Sequence, residues 1–498
     1  MNVNPITRLD YPDPDVIRVE DTYYMVSTTM HFMPGCEILQ SFDLVHWEHV
    51  TYVYETLDHT DAQQLKSGQN IYGQGMWAAS LRYHEGRFYI CFVANDTRKT
   101  YLYTSEKIDG PWKKQLIEGF YHDASLLFDE DGRNYIVYGN DEIWITELNE
   151  DLTAPKKDGL HRLLVSDHKN PELGYEGSHI QKINGYYYIF LVHSLRDRWM
   201  RTEACFYSDS LEGEFTGGDV LCDDRGYCGQ GVAQGGIVDT PDGKWYAMLF
   251  QDSGAVGRIP ILLPVTWKDH FPIFGQNGHV PEEIEVHSTR PGYIYQPLVG
   301  SDDFCNGLLP RWQFNHDPDP RYYHLDALQG TYTITTREVC TGLTQAVNTL
   351  TQRMSYPSCA AEVTVDASAL KEGDVAGLCA LQSCYAAVGI TKHHGKYEVL
   401  MLDKKEDGIL DMTEGTVVES HQMDFRLEAD FCNMKDEARC YYRVNKGDWL
   451  PIGTVHKLYF KLDHFTGCRF GLFCYAAEET GGSACFRDFK YYDVDEIS

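Results

Sequence analysis

Much of what marks a membrane, nucleic-acid-binding or redox protein is missing from this 498-residue sequence. Its longest apolar runs, such as residues 259–265, fall far short of the roughly 20 residues that a bilayer-spanning helix requires. Basic residues are few: 43 Lys and Arg against 74 Asp and Glu leave a net charge of −31. Such a chain has no clustered cationic face to release counterions from a polyanion. Neither a nucleic acid nor a membrane is therefore an expected partner, whereas a neutral glycan is compatible. The opening residues, MNVNPITRLDYPDPD, carry neither the basic nor the apolar stretch of a secretory signal, and a cytoplasmic location is expected. The 15 cysteines include no CxxC pair and are irregularly spaced. They are expected to be reduced, half-buried small hydrophobes, not a disulfide framework, a zinc site or a catalytic thiol.

What the chain does contain is an internal repeat over residues 10–275. The segments DVIRVEDTYYMVST, SLRYHEGRFYICFVA, SLLFDEDGRNYIVYG, HIQKINGYYYIFLVH and GIVDTPDGKWYAMLF share one pattern. Each is a short apolar strand, a tight turn on Asp or Gly, and a strand of aromatic and β-branched residues, which is a β-hairpin signature. Further strand-like pieces such as TYLYTSEKIDGPW and EIWITELNEDL lie between the hairpins. Each repeat thus supplies about four strands over roughly 45 to 65 residues, the size of a propeller blade. No helical periodicity interrupts them, and closing the ring hides the sheet edges. The repeat fades over residues 275–301, and the remainder alternates apolar and polar residues in strand-length pieces such as CAAEVTVDA and KLYFKLDH. The expected architecture is all-β: a five-bladed propeller over residues 1–290 and a jelly-roll-like β-sandwich over residues 291–498. An all-β sandwich with coincidental turns is the alternative to the propeller.

Aligning the hairpins on their turns places one residue per blade at a common register. Nine residues before Gly86, Gly132, Gly185 and Gly243 lie Trp77, Asp123, Glu176 and Gln234, and eight before Asp21 lies Asp13. In a propeller, equivalent positions face the same stretch of the axis, so these side chains should converge. Acids from remote parts of a sequence repel one another in a dry pocket, and a cluster of them marks function more often than packing. Pro12 and Pro14 fix the backbone around Asp13, and Gly174 and Gly177 leave room beside Glu176. Two carboxyl groups across a cleft are the minimum for glycosidic cleavage, and a third can tune the acid, here Asp123 acting on Glu176 through like charge. The aromatic face of Trp77 suits a sugar ring.

These segments resemble glycoside hydrolase family 43, which contains β-xylosidases and α-L-arabinofuranosidases, over nearly the whole chain. NPITRLDYPDPDVIRVEDTYYMVST is similar to the opening motif whose acid is the general base, implying that role for Asp13. HDASLLFDEDGRNYIVYG resembles the motif of the pKa modulator, Asp123, and YEGSHIQKINGYYY that of the general acid, Glu176. The resemblance further implies substrate contacts at Phe32, Trp77 and Arg258. Where many members carry a histidine at the channel centre, this chain has Gln234, an amide and a poorer metal ligand. No cofactor is required on this reading, and a structural calcium is the alternative. The implied reaction is inverting, exo-acting release of a terminal β-D-xylose or α-L-arabinofuranose from a small oligosaccharide derived from plant hemicellulose. A non-catalytic carbohydrate-binding propeller and a retaining fructan- or sucrose-type hydrolase are the competing readings. Specificity between the two pentoses and the oligomeric state, with a homo-oligomer among the options, stay open at this level.

Overall fold

The computed structural model describes residues 2–493. Those residues form 38 strands and four single-turn 3₁₀ segments with no α-helix, the all-β architecture that the repeat implied. Five antiparallel sheets of four strands are each built from one continuous stretch of chain. Their first strands, Asp15–Val19, Met76–His84, Ser125–Phe128, Glu176–Ile183 and Val232–Asp239, lie next to one another in a closed ring and form the wall of the axis. The repeat's turn glycines Gly86, Gly132, Gly185 and Gly243 have φ of 78°, 82°, 84° and 80°, with open space where a Cβ would sit. Backbone conformation, and not crowding, is what demands glycine there.

One side chain ties most of the ring together. Arg82 of blade 2 reaches across the axis and donates from Nη1 to Asp15 Oδ2 at 2.7 Å and from Nε to the Leu126 carbonyl at 2.9 Å. Its Nη2 donates to Ser125 Oγ at 2.6 Å and to the Ile180 carbonyl at 3.2 Å, so one guanidinium links blades 1 to 4. Burial pushes the Asp15 carboxyl up, but Arg82 and His179 outweigh it and hold the group below its ordinary value. Blade 5 closes on blade 1 through the Arg18–Asp239 ion pair. It also closes through Asn4, whose amide donates to the Leu262 carbonyl at 2.7 Å and accepts from the Leu262 N–H at 3.1 Å.

The last propeller pairing joins Glu283–Ile284 to Asn2–Val3, and the first strand of the second domain is Gln313–Asn315. That domain is a sandwich of two sheets, one of seven strands and one of nine that counts a single propeller strand. It is not a detached appendage, because Phe32–Met33 of the propeller pairs with Gln313–Asn315 and extends the larger sheet. Propeller residues Ala255, Val256 and Ile259 belong to the same buried cluster as Phe425, Phe470 and Leu472 of the sandwich, making one core across the seam. The 15 cysteines are free and most are buried.

The seam also buries an ion pair. Arg353 of the sandwich donates from Nη1 to Glu37 Oε2 of blade 1 at 2.9 Å, with side-chain exposures of 5% and 3%. Burial would raise the Glu37 carboxyl, but Arg353 and His49 pull it down to about 2. A carboxyl depressed in the folded state stabilises above its unfolded pKa and loses that contribution as pH falls towards the folded one, here between about 4.5 and 2. Replacing Arg353 by Met strands a buried charge, so thermal or chemical unfolding at pH 7 should show a loss of about 3–5 kcal/mol. The Arg353→Met/Glu37→Gln pair should recover part of it. A single variant as stable as the parent would show that the pair does not hold the seam.

Candidate active site

At one end of the axis the backbone departs from regular pairing at the same register in all five blades. In blades 2, 4 and 5 the pairing of the innermost strand shifts between Met76 and Ala79, Glu176 and His179, and Ala233 and Gly236. These are β-bulges, which re-aim side chains. In blades 1 and 3 the equivalent residues lie just ahead of the strand in the left-handed region, with φ of 53° for Asp13 and 47° for Asp123. Gln234 and Gly177 are left-handed too, at 64° and 68°. Non-glycine residues there cost about 1–3 kcal/mol each and persist where the surroundings enforce them. A Cβ on Gly177 would lie 2.7 Å from Cγ of Gln234, so that position also needs glycine for space.

Each acid has its own partners. Ser27 Oγ and the Thr28 N–H both donate to the Pro12 carbonyl, at 2.6 and 3.2 Å, and clamp the turn that carries Asp13. Asp13 Oδ2 then accepts from Thr28 Oγ1 at 2.6 Å and Oδ1 from Arg258 Nη1 at 3.0 Å. Asp123 Oδ2 accepts from the Gly177 N–H at 3.0 Å, so the blade 3 acid caps the blade 4 bulge. Glu176 Oε2 accepts from Asn140 Nδ2 at 2.9 Å and faces His122 Nε2 at 3.4 Å, and the same nitrogen lies 3.6 Å from Asp123 Oδ2.

The electrostatics couple the acids. Burial raises the Asp123 carboxyl, His122 draws it back, and the charges of Glu176 and Asp13 push it up again, to about 6. Asp123, expected to act on its neighbour, is thus itself shifted. Burial alone would lower His122, but Asp123, Glu176 and Asp13 together lift it to about 9. One donor atom each from His122, Asp123 and Glu176 falls within 4.8 Å of the others. Two carboxylates and an imidazole so placed attract a proton and a cation alike, and a bound metal would displace the imidazole proton.

A cavity of about 770 Å³ opens above the acids, lined by Glu176, His122, Trp77, Asn140, Arg201 and Phe465 among others. Trp77 packs its ring against His122 at 5.8 Å and Phe465 at 5.5 Å. The Arg258 guanidinium lies 4.3 Å from the centre of the Phe465 ring, and its Nε and Nη2 have no hydrogen-bond partner among the described residues. Asp13, Asp123, Glu176 and Trp77 therefore converge as the register count implied, and Arg258, expected from the family resemblance, joins them through Asp13. Gln234 sits deeper, 4% exposed, with its side chain against Gly177 and its N–H donated to Glu203 at 2.7 Å. Phe32 goes elsewhere. It is 1% exposed at the domain seam with the Arg469 guanidinium 3.4 Å from its ring centre, because its strand is recruited to the sandwich sheet.

Residues 3–272 match the family model for glycosyl hydrolases family 43, and residues 301–492 match that of the β-xylosidase C-terminal concanavalin A-like domain. The chain belongs to glycosyl hydrolase family 43. It is 27% identical to a β-xylosidase of Formosa agariphila, over 99% of this chain and 89% of that one. It is 26% identical to a non-reducing end α-L-arabinofuranosidase of Bacteroides ovatus, over 66% of this chain and 63% of the relative. The solved structure of a bifunctional GH43-CE protein from Bacteroides eggerthii superposes with a TM-score of 0.92 at 42% identity, covering 99% of this chain and 64% of that longer one. The protein is thus a glycoside hydrolase of the β-xylosidase and arabinofuranosidase type.

In this family 43 enzyme the sandwich takes part in the site. Met434, Phe460, Lys461, Leu462 and Phe465 complete the cavity wall. Asp10 anchors their loop: its Oδ2 accepts from the Gly467 N–H and its Oδ1 from the Arg258 N–H, both at 2.8 Å. His122, Asn140 and Phe465 were not among the sequence-derived candidates. The first directly precedes Asp123 and could have been found by that adjacency, whereas nothing local marks Phe465. Phe465→Ala removes the ring shared by Trp77 and Arg258 and should lower kcat/KM about tenfold, chiefly through KM. An unchanged KM would show that the sandwich wall is not in contact with substrate.

Proposed function

We propose that this enzyme is an inverting, exo-acting hydrolase that releases a terminal β-D-xylose or α-L-arabinofuranose from short hemicellulose oligosaccharides. The observation that carries this reading is the convergence of Asp13 of blade 1 and Glu176 of blade 4 on Asp123, whose carboxyl is pushed up by burial and by the charges of both. Inversion needs about 6.5–9.5 Å between the two carboxyl groups, room for the attacking water, against about 5–5.5 Å for retention by direct attack. Asp13, with Arg258 and Thr28 donating to its two oxygens, accepts a proton from that water. Glu176 lines the cavity and protonates the leaving oxygen. Arg258, with two nitrogens unclaimed among the described residues, donates to glycone hydroxyls, and Trp77 and Phe465 offer ring faces to the sugar. The sandwich loop across one side of the cavity supports cleavage at a chain end, in keeping with the non-reducing end activity in the name of the Bacteroides ovatus relative.

Proton NMR of hydrolysis of 4-nitrophenyl β-D-xyloside and 4-nitrophenyl α-L-arabinofuranoside tests the proposal. The first sugar released should have the anomeric configuration opposite to that of the substrate. Asp13→Ala should reduce kcat by about 10²–10⁴-fold. Retained configuration in the first product would overturn inversion, and turnover undiminished in Asp13→Ala would remove the base.

A further inference from the structure

Arg201 begins the third strand of blade 4, Arg201–Ser208, and Asp252 ends the second strand of blade 5, Trp245–Asp252. Arg201 is 6% exposed, and its Nε donates to Asp252 Oδ2 at 2.8 Å. Its two terminal nitrogens and Asp252 Oδ1 have no hydrogen-bond partner among the described residues, and both side chains line the cavity. A buried guanidinium that leaves four of its five N–H donors unmade calls for a ligand or water to take them. The Phe250 ring stands beside both arginines of the site, its centre 5.2 Å from the Arg201 guanidinium and 5.3 Å from that of Arg258. Asp252 is also the register partner of Arg258, so the strands that present Arg258 to Asp13 present Asp252 to Arg201. Asp13 and Arg258 are not part of the cavity wall, whereas Glu176 is. A general acid stands at the glycosidic oxygen, with the glycone on one side and the leaving sugar on the other. Asp13 and Arg258 mark the glycone side, so the wall formed by Arg201 and Asp252 faces the leaving sugar.

We propose that Arg201 and Asp252 clamp two adjacent hydroxyls of the leaving sugar and so determine which linkage is cleaved, an inference that rests on the pentoside hydrolase reading above. A hydroxyl both donates and accepts. The free N–H groups of Arg201 donate to the two hydroxyl oxygens, and Asp252 Oδ1 accepts from one of them. Hydrogen bonds to charged groups are the stronger kind, and the Trp199 ring, 5.3 Å from the Arg201 guanidinium in the same wall, adds an aromatic surface beside the sugar. A xylose residue released from a β-1,4 link carries free, adjacent hydroxyls at carbons 2 and 3 and satisfies the pair. A residue joined through carbon 3 has spent one of those hydroxyls in the glycosidic bond, and its remaining ring hydroxyls, at carbons 2 and 4, are not adjacent. It leaves part of the clamp unpaired in the closed site, which is the penalty that discriminates. The substrate class selected is the linear β-1,4-linked xylo-oligosaccharide.

The experiment compares Arg201→Met and Asp252→Asn with the parent on three substrates, with thermal unfolding as a folding control. They are the methyl β-glycosides of β-1,4-xylobiose and β-1,3-xylobiose, and 4-nitrophenyl β-D-xyloside. All three share one glycone, and only the first offers adjacent hydroxyls on its leaving group. The parent should favour the β-1,4 over the β-1,3 disaccharide by about 10–100-fold in kcat/KM. Each variant should lose about that factor on the β-1,4 disaccharide, chiefly through KM, against a few-fold on the other two substrates. Asp252→Asn keeps the shape of the side chain while turning its free acceptor into a donor, and it decides the matter if Arg201→Met does not fold. Equal losses on all three substrates, or a parent indifferent to linkage, would overturn the clamp. If the parent hydrolyses none of the three, the proposed function is what fails. Calorimetric binding of the two disaccharides then tests the clamp by itself, and equal affinities would remove it.

Discussion

Carboxyl groups that share one poorly solvated hollow repel one another, and much of this protein is arranged to hold them there. At a separation near 5 Å and an effective dielectric of about 20, two such charges cost on the order of 3 kcal/mol, a large part of the 5–15 kcal/mol by which a typical domain is stable. The ring answers with countercharges on the spot. Arg258 faces Asp13, and the His122 imidazolium stands between Asp123 and Glu176. What repulsion remains appears as the upward shift of Asp123.

The backbone makes a second contribution. A regular strand alternates its side chains between two faces, and in a propeller blade those faces are packed against neighbours. Bulges in blades 2, 4 and 5 and left-handed acids in blades 1 and 3 break that alternation at one register. The side chains there turn into the axis and out of the inter-blade packing. Farther along the axis Arg82 binds four blades together, so the strained rim stands on a rigid base. Guanidinium geometry suits the task, since its five N–H donors can satisfy several strands at once.

The second domain joins the first through hydrogen bonds that lead towards the site. Asp10 caps both the strand that presents Arg258 and the sandwich loop that presents Phe465, so the partner of Asp13 and the cavity wall are set by one carboxylate. Packing continues from Ile259 into the sandwich core, and the Glu37–Arg353 pair is sealed within the seam. Loosening the seam would therefore reach the substrate cavity without touching an acid.

Local chemistry written in the sequence settled the blades and the acids. Asn-Gly and Glu-Gly turns between aromatic strands specify hairpins within a few residues, and equal spacing from those turns carries Asp13, Asp123 and Glu176 to one register whatever the rest of the chain does. Trp77 follows for the same reason, as part of the innermost strand of blade 2, whereas Arg258 begins the third strand of blade 5 and is marked only by the family resemblance. Other features depend on which surfaces meet. Phe32 lies in the seam because its strand pairs with one nearly 300 residues later, and Phe465 enters the cavity from a domain with no acid of its own there. His122 reads in sequence as a neighbour of Asp123, and only the closure of blade 4 beside blade 3 brings Glu176 to its ring. Turn and strand preferences act over a few residues, whereas docking and the charges it brings together arise only in the folded chain.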